Sequence, residues 1–430
     1  MEPVDPVEPV ETIAVIPYAA LAHSSELGGD DVIEREPIEA KLVQESQTIA
    51  KSPEKSRKDR WPKRVFLFVI WATGGTFCIA SLVVILAVLT AIPVLQLIAF
   101  GYLLDVAGRL VNGATFSDSL LHLPQAGKIG LAATAVFIAS LPTQLLVHWE
   151  SVSQLINPGS SEASQMRLLA IVSCFFALGY LAWAWIRGGD LKHYLWPQPI
   201  RFVKESWRWR TWKEAPDRLW EFTASLEIPR LFWLGLRGFV GTLVWLIPAV
   251  LLITVNRNGE TGAAGLVGVV CVGILGVALL YLPMLQAHFA AENRWSALFE
   301  LRTIRRDFRR APWAWFWAMV VGLVLMPVPL YLLKIEATPR EVMWLPCLVF
   351  VAFILPARIA EGLALRRARR AKEPAGAWPA ISRWTVRLLM PVVVATYLVF
   401  VQVSQYTSWD GLQTWIQQHA ILIPVPFVGV

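Results

Sequence analysis

The stretch "LTAIPVLQLIAFGYLLDVAGR", Leu89 to Arg109, decides how the chain is threaded. It begins inside an apolar run, meets Pro93, carries Gln96 and ends with Asp105 and Arg109. It also closes an uncharged segment, Val65 to Leu104, whose 40 residues are too many for one upright membrane helix and enough for two. The loops choose between these readings, because Lys and Arg accumulate on the cytoplasmic side of short loops. "KSPEKSRKDRWPKR", Lys51 to Arg64, holds seven basic residues, Arg187 to Arg230 nine, Gln286 to Pro312 six and Leu363 to Arg387 seven. Trp149 to Met166, Val255 to Gly262, Lys334 to Glu341 and Gln405 to Val430 hold none, one, two and none. A single crossing would put the basic N-terminal tail and the nine-residue basic loop on opposite sides. Two crossings that turn at Pro93 put them together, and a re-entrant half-helix satisfies the same parity. Asp105 and Arg109, spaced i and i+4, then emerge at the cytoplasmic face, where they can pair while Arg109 reaches the head groups.

Composition agrees with a membrane class. Of 430 residues, 56% are hydrophobic and 17% charged, which is too apolar for an ordinary soluble domain. Backbone polar groups find no water in lipid, so spans are helices or closed barrels, and the ten-residue alternation of a barrel strand is missing. Further spans are expected at about 129–148, 167–186, 231–254, 263–285, 313–333, 341–362 and 384–404. The expected fold is all-α, a polytopic helical membrane protein of eight to nine transmembrane helices with interfacial amphipathic helices. Residues 1–60 read as a disordered cytoplasmic tail, acidic then basic, 61–404 as the transmembrane domain and 405–430 as a short extracytoplasmic segment. No secretory signal opens the chain. Eleven Asp and Glu lie between Glu2 and Glu45, so the tail is solvated and offers a surface to a protein partner.

The basic residues sit beside apolar segments, which points to anionic lipid head groups at the cytoplasmic face rather than to nucleic acid. "RFVKESWRWRTWKEAPDRLWEF" interleaves Arg208 and Arg210 with tryptophans, a composition suited to a helix lying in the interface. Pro216 suits the first turn of a second such helix, with Leu219, Phe222 and Leu226 as its stripe. "RWSALFELRTIRRDFRRAPW" places Leu298, Leu301, Ile304 and Phe308 on one face and Arg302, Arg305, Arg306, Arg309 and Arg310 on the other, with Pro312 opening the next span. These arginines are the expected head-group contacts.

Candidate intramembrane polar residues are Arg237, Gln96, Asp105 and Arg109. Arg237 lies within an apparent span and is either a substrate contact or a side chain about 10 Å deep that reaches back to phosphate; the second reading is preferred. Arg358 with Glu361 reads as an interfacial pair. His288 and Glu292 share a helical face, and His148 lies near Glu150, but no HExxH or Walker A motif accompanies them. No catalytic, cofactor-binding or metal-binding residue is assigned. Cys78, Cys174, Cys271 and Cys347 fall inside apolar runs and read as buried small residues. "GAAGLVGVVCVGILG" reads as a small-residue face for helix packing. "IPVLQ" at Ile92, "LPMLQ" at Leu282 and "LPARI" at Leu355 suggest a weakly repeated unit of helical hairpin and surface helix.

With "FGYLLDVAGRLVNG", "PDRLWEFTASLEIPRLFWLGLRGF", "FRRAPWAWFWA" and "PLYLLKIE", the chain resembles uncharacterised multi-pass membrane proteins of planctomycete bacteria. The GY-containing segment also looks like a broader bacterial domain of unknown function. The resemblance, over roughly residue 61 onward, implies residence in the bacterial inner membrane and brings no catalytic residues. The expected protein is a multi-pass inner-membrane protein of unknown activity, N-terminus cytoplasmic and C-terminus outside. It is read as non-enzymatic, organising lipids or partners. The alternative is a transporter or permease for a small molecule or lipid, with broken helices at Pro93, Pro248 and Pro327. A membrane-embedded lipid enzyme is the third reading.

Overall fold

The computed structural model describes residues 60–196, 198–206, 209–257, 263–326, 344–374 and 376–407. The acidic tail, Arg208, Pro327 and nearly all of the C-terminal segment lie outside the described residues, as does the side chain of Arg210. The chain separates into Met1–Phe68 and Val69–Val430. Of the first unit only helical backbone from Arg60 onward is described; the account below concerns the second.

The described residues are helices and turns, with no strand among them. In chain order they form α1 (Arg60–Ala91), α2 (Gln96–Val111), α3 (Phe116–Ser119), α4 (Leu123–Ile156), α5 (Ser161–Ile186), α6 (Leu191–Leu195), α7 (Pro199–Ser206) and α8 (Trp209–Ala224). These are followed by α9 (Ile228–Arg257), α10 (Ala263–Glu292), a 3-10 turn (Trp295–Phe299), α11 (Leu301–Arg310), α12 (Pro312–Val320) with a π-helical turn (Val321–Leu325), α13 (Trp344–Arg370) and α14 (Ala377–Thr407). Seven helical stretches, in α1, α4, α5, α8 with α9, α10, α13 and α14, are long and apolar enough to cross a membrane. α2 falls short of that length, and Pro312–Leu325 is also shorter. The 313–333 span is described only as far as Met326.

The uncharged segment does break where proline interrupts it. α1 ends at Ala91, Val94 takes a left-handed φ of 72°, and α2 begins at Gln96. Pro248, in contrast, sits inside continuous α9, so the helix expected to break there does not. Pro216 lies inside α8 rather than at the start of a second helix, and Leu226 falls beyond that helix's end. Pro283 and Pro356 are interior to α10 and α13, so the three proline motifs do not mark one repeated unit.

α2 is the centre of this unit among the described residues: thirteen of its sixteen residues are buried. It packs against α9, α10 and α13. Apolar burial gives helices little reason to associate in lipid, so close van der Waals contact carries the packing, and that requires small residues. A Cβ on Gly101 of α2 would lie 1.9 Å from the carbonyl oxygen of Leu231, and one on Gly235 of α9 would lie 1.9 Å from that of Leu97. The two backbones therefore touch directly. Gly108 meets Ala290 of α10 and Gly362 of α13 meets Ala107 in the same manner. Because α2, α10 and α13 meet near their last turns, their C-terminal ends lie together, and α9 starts at that end. Two glycines of the run at the start of α10 lack such a close approach. Gly273 has nothing within 4 Å of an added Cβ, and Gly276 has only Val394 at 3.8 Å.

α4 and α5 form a long antiparallel pair, joined through a turn that Ser160 caps by accepting from the Ala163 N–H. Gly127 and Gly130 near the start of α4 receive Cys78 and Ser81 of α1. At its last turns α5 also meets α6 and α8, with Trp183 buried and Trp185 edge-on to Phe222, but much of the hairpin's length is bare: Phe137, Phe175 and Phe176 are 61%, 72% and 79% exposed. Such a face suits lipid and would aggregate in water.

Candidate functional site

The polar side chains gather where α2, α10 and α13 end. Each terminus carries a partial negative charge from carbonyls with no helical partner, so cations belong there. The Asn112 side chain donates to the Ala291 carbonyl at 3.1 Å, Arg366 to that of Ala114 at 2.8 Å, and Arg237 to that of Asn293 at 3.3 Å.

Asp105, 4% exposed, accepts from Arg109 Nε at 2.5 Å and from Arg230 at 2.6 Å. Arg230 also pairs with Glu227. A carboxylate this buried needs both cations to offset its lost hydration. Arg230 comes 125 positions further on, and nothing local in the sequence pairs it with Asp105.

His288, 2% exposed, is held on both nitrogens. Arg369 donates to Nδ1 at 2.6 Å, so the ring proton sits on Nε2 and is given to Glu300 at 3.0 Å. That hydrogen bond holds the Glu300 carboxyl below the usual carboxylate range. Arg369 also reaches Glu292 at 3.0 Å and Arg294 reaches Glu300 at 2.9 Å. His288 and Glu292 are thus joined through Arg369 rather than directly. The chain Glu292, Arg369, His288, Glu300, Arg294 ties α10 and α13 to the segment before α11. Both imidazole nitrogens are engaged within it, so His288 links these segments rather than standing alone.

Arg237 turns away from the bundle centre. It donates to Asn293 Oδ1 at 2.5 Å and lies over the rings of Trp233 and Phe289. Gln96 opens α2 at the opposite end from Asp105, and its Oε1 is buried without a hydrogen-bond partner. Arg358 and Glu361 pair at 2.9 Å with 0% and 1% exposure. The interfacial reading of that pair is therefore wrong: it sits inside the bundle, with Arg358 over the ring of Phe100. Gln286 donates to Thr242 at 2.6 Å, a buried polar link between α9 and α10.

On α11, Ile304 is fully buried, as is Leu298 just before it, and Leu301 and Phe308 pack against the core. Arg302, Arg305, Arg306 and Arg309 are exposed. Arg305 lies over the Tyr281 ring, and Arg309 is 4.0 Å from Glu373. Arg310 is half-buried and 3.5 Å from Asp307, whose carboxyl burial pushes up from its usual value. Arg387, unmarked in the sequence, lies over Phe308 and Trp384.

Two cavities flank this end of the molecule. One, of about 630 Å³, opens between α12 and α13 and has Arg366, Arg367 and Arg370 at its rim. The other, of about 600 Å³, lies between the α4–α5 hairpin and Tyr194, Pro216 and Leu219. Neither is lined by Arg237, Gln96 or His288. Among the described residues no three His, Cys, Asp or Glu gather in a way that could hold a metal ion, and the four cysteines are free.

A family model described as a protein of unknown function, DUF4013, matches residues 209–335. The match takes in α8 to α12, with Arg237, His288 and the α11 arginines, and begins after the GY-containing segment. No curated protein and no solved structure matches the chain.

Proposed function

We propose that this integral membrane protein, of a kind without known activity, is a non-enzymatic platform at the cytoplasmic leaflet of a bacterial inner membrane. Its N-terminus lies inside, its C-terminus outside, and α2 and the segment opening at Pro312 complete nine passes. The observation that carries this reading is the convergence of the α2, α10 and α13 ends with an arginine-bearing helix whose apolar face covers the core. Arg302, Arg305, Arg306 and Arg309 then meet anionic head groups, each adding about 1 kcal/mol of attraction. Arg208 and Arg210 supply further basic charge for the same head groups, and the acidic tail recruits a protein partner. The transporter reading loses one of its supports in the unbroken course of α9 through Pro248.

Orientation is tested by a reporter fusion just beyond Gly113, which should report a cytoplasmic position. A periplasmic one overturns the reading. The platform is tested by replacing Arg302, Arg305, Arg306 and Arg309 with Gln. Stabilisation of the purified protein by phosphatidylglycerol over phosphatidylcholine should shrink; an unchanged preference rejects the belt.

A further inference from the structure

The groove between α12 and α13 is of a different kind from the α11 belt. Its wall is made of small side chains, among them Ala360 and Ala364, with Trp317 standing 59% exposed along its edge. Its volume of about 630 Å³ falls within the size range of small-molecule sites, and it opens to the outside of the bundle. Ala360 to Ala371 along α13 spans about 16 Å at the helical rise, close to half of a hydrocarbon core of about 30 Å. A groove of that length admits a chain running through one leaflet. The helix beside it departs from α geometry in the π turn at Val321–Leu325, a feature often found at functional sites.

Charge decides the occupant. Arg366, Arg367 and Arg370 rim the groove, and no acidic residue lines it. None of the three pairs with a carboxylate among the described residues; Arg366 is committed to the Ala114 carbonyl, while Arg367 and Arg370 are exposed. The end of α13 opposes an anion with roughly half a negative charge, which the three guanidinium groups outweigh. A zwitterionic head group would bring a cation to a rim without a carboxylate to receive it.

We propose that this groove binds one anionic phospholipid, its phosphate on Arg367 and Arg370 and one acyl chain along the alanine wall beside Trp317. The assignment to the cytoplasmic leaflet rests on the orientation proposed above; the binding itself does not. Arginine's planar fork matches two phosphate oxygens, and the apolar wall selects a lipid over free phosphate.

The test uses the full chain, purified in mild detergent and delipidated, with bound phospholipid counted by native mass spectrometry as phosphatidylglycerol or phosphatidylcholine is added. The wild type should hold one phosphatidylglycerol at least ten-fold more tightly than phosphatidylcholine. R367Q/R370Q should lose that preference while remaining folded, since both side chains are exposed. Trp317→Ala should weaken both lipids several-fold, and the four-arginine α11 variant should keep the single tight lipid. Retention by R367Q/R370Q of one phosphatidylglycerol at wild-type affinity overturns the site, as does its displacement by millimolar inorganic phosphate. Because the count is made in detergent, a groove that binds lipid alongside a periplasmic reporter fusion rejects the orientation alone.

Discussion

α2 and the α4–α5 hairpin are both apolar helical segments, and they have opposite fates. α2 is enclosed by protein along most of its length, whereas none of the membrane-length window of α4 is buried by its neighbours. Apolarity therefore did not choose which helix goes inside. Lipid tails and leucines are equivalent neighbours, so a helix moves to the centre when its backbone can be approached closely and its polar groups find partners there. α2 has Gly101 and Gly108 for the approach and Asp105 for the pairing. Gly179 of α5, with nothing within 4 Å of an added Cβ, shows a glycine that no neighbour uses.

The sharpest way to break this contrast is Gly101→Val or Gly235→Val. Added side chains would collide with backbone that cannot rotate away, and overpacking costs about 1–3 kcal/mol or more even where side chains yield. Loss of the monodisperse, detergent-stable protein is expected on gel filtration. Next in size is Arg358→Met, which leaves Glu361 without its cation inside the bundle and should destabilise by about 3–5 kcal/mol. Arg358→Met with Glu361→Gln should recover part of the loss in thermal melts; no recovery would mean that the pair's charges are not what matters.

A smaller effect is expected at Glu300. Its folded carboxyl titrates below the ordinary 4.5, so its stabilisation is complete above that pH and fades as pH falls through the depressed value. Glu300→Gln should flatten the acid limb of the melting-temperature profile relative to wild type. The smallest effect belongs to the hairpin. Gly179→Ala should change stability by no more than about 1 kcal/mol, in the stabilising direction, because helix propensity is all that changes. A loss comparable to that at Gly101 would show that the hairpin face is packed against something.

Much of the helical frame was legible. Uncharged length gave seven helices long enough to cross a membrane, Pro93 gave the break between α1 and α2, and the i, i+4 spacing brought Asp105 to Arg109. The packing faces were not legible, because a helix that is apolar all round has no stripe to read. One signal of packing is nonetheless present in the sequence: Gly235, Gly238 and Gly241 recur every third residue in "FWLGLRGFVG", around Arg237. All three face neighbours closely, the last two against Leu104 and Leu298. Arg358 and Glu361 misled in the opposite way, because a charged pair near a basic helix end reads as interfacial when only its neighbours reveal its burial.

By itself the sequence determined that this chain is helical and lipid-soluble, and where its first apolar region turns, since hydropathy and proline act over a few residues. Only the tertiary structure decided that α2 is the central helix, that Arg230 completes the partnership of Asp105 and that His288 is clamped on both sides. Those outcomes depend on contacts between residues far apart in the chain, and in a solvent as apolar as the helices themselves nothing local distinguishes a lipid neighbour from a protein one.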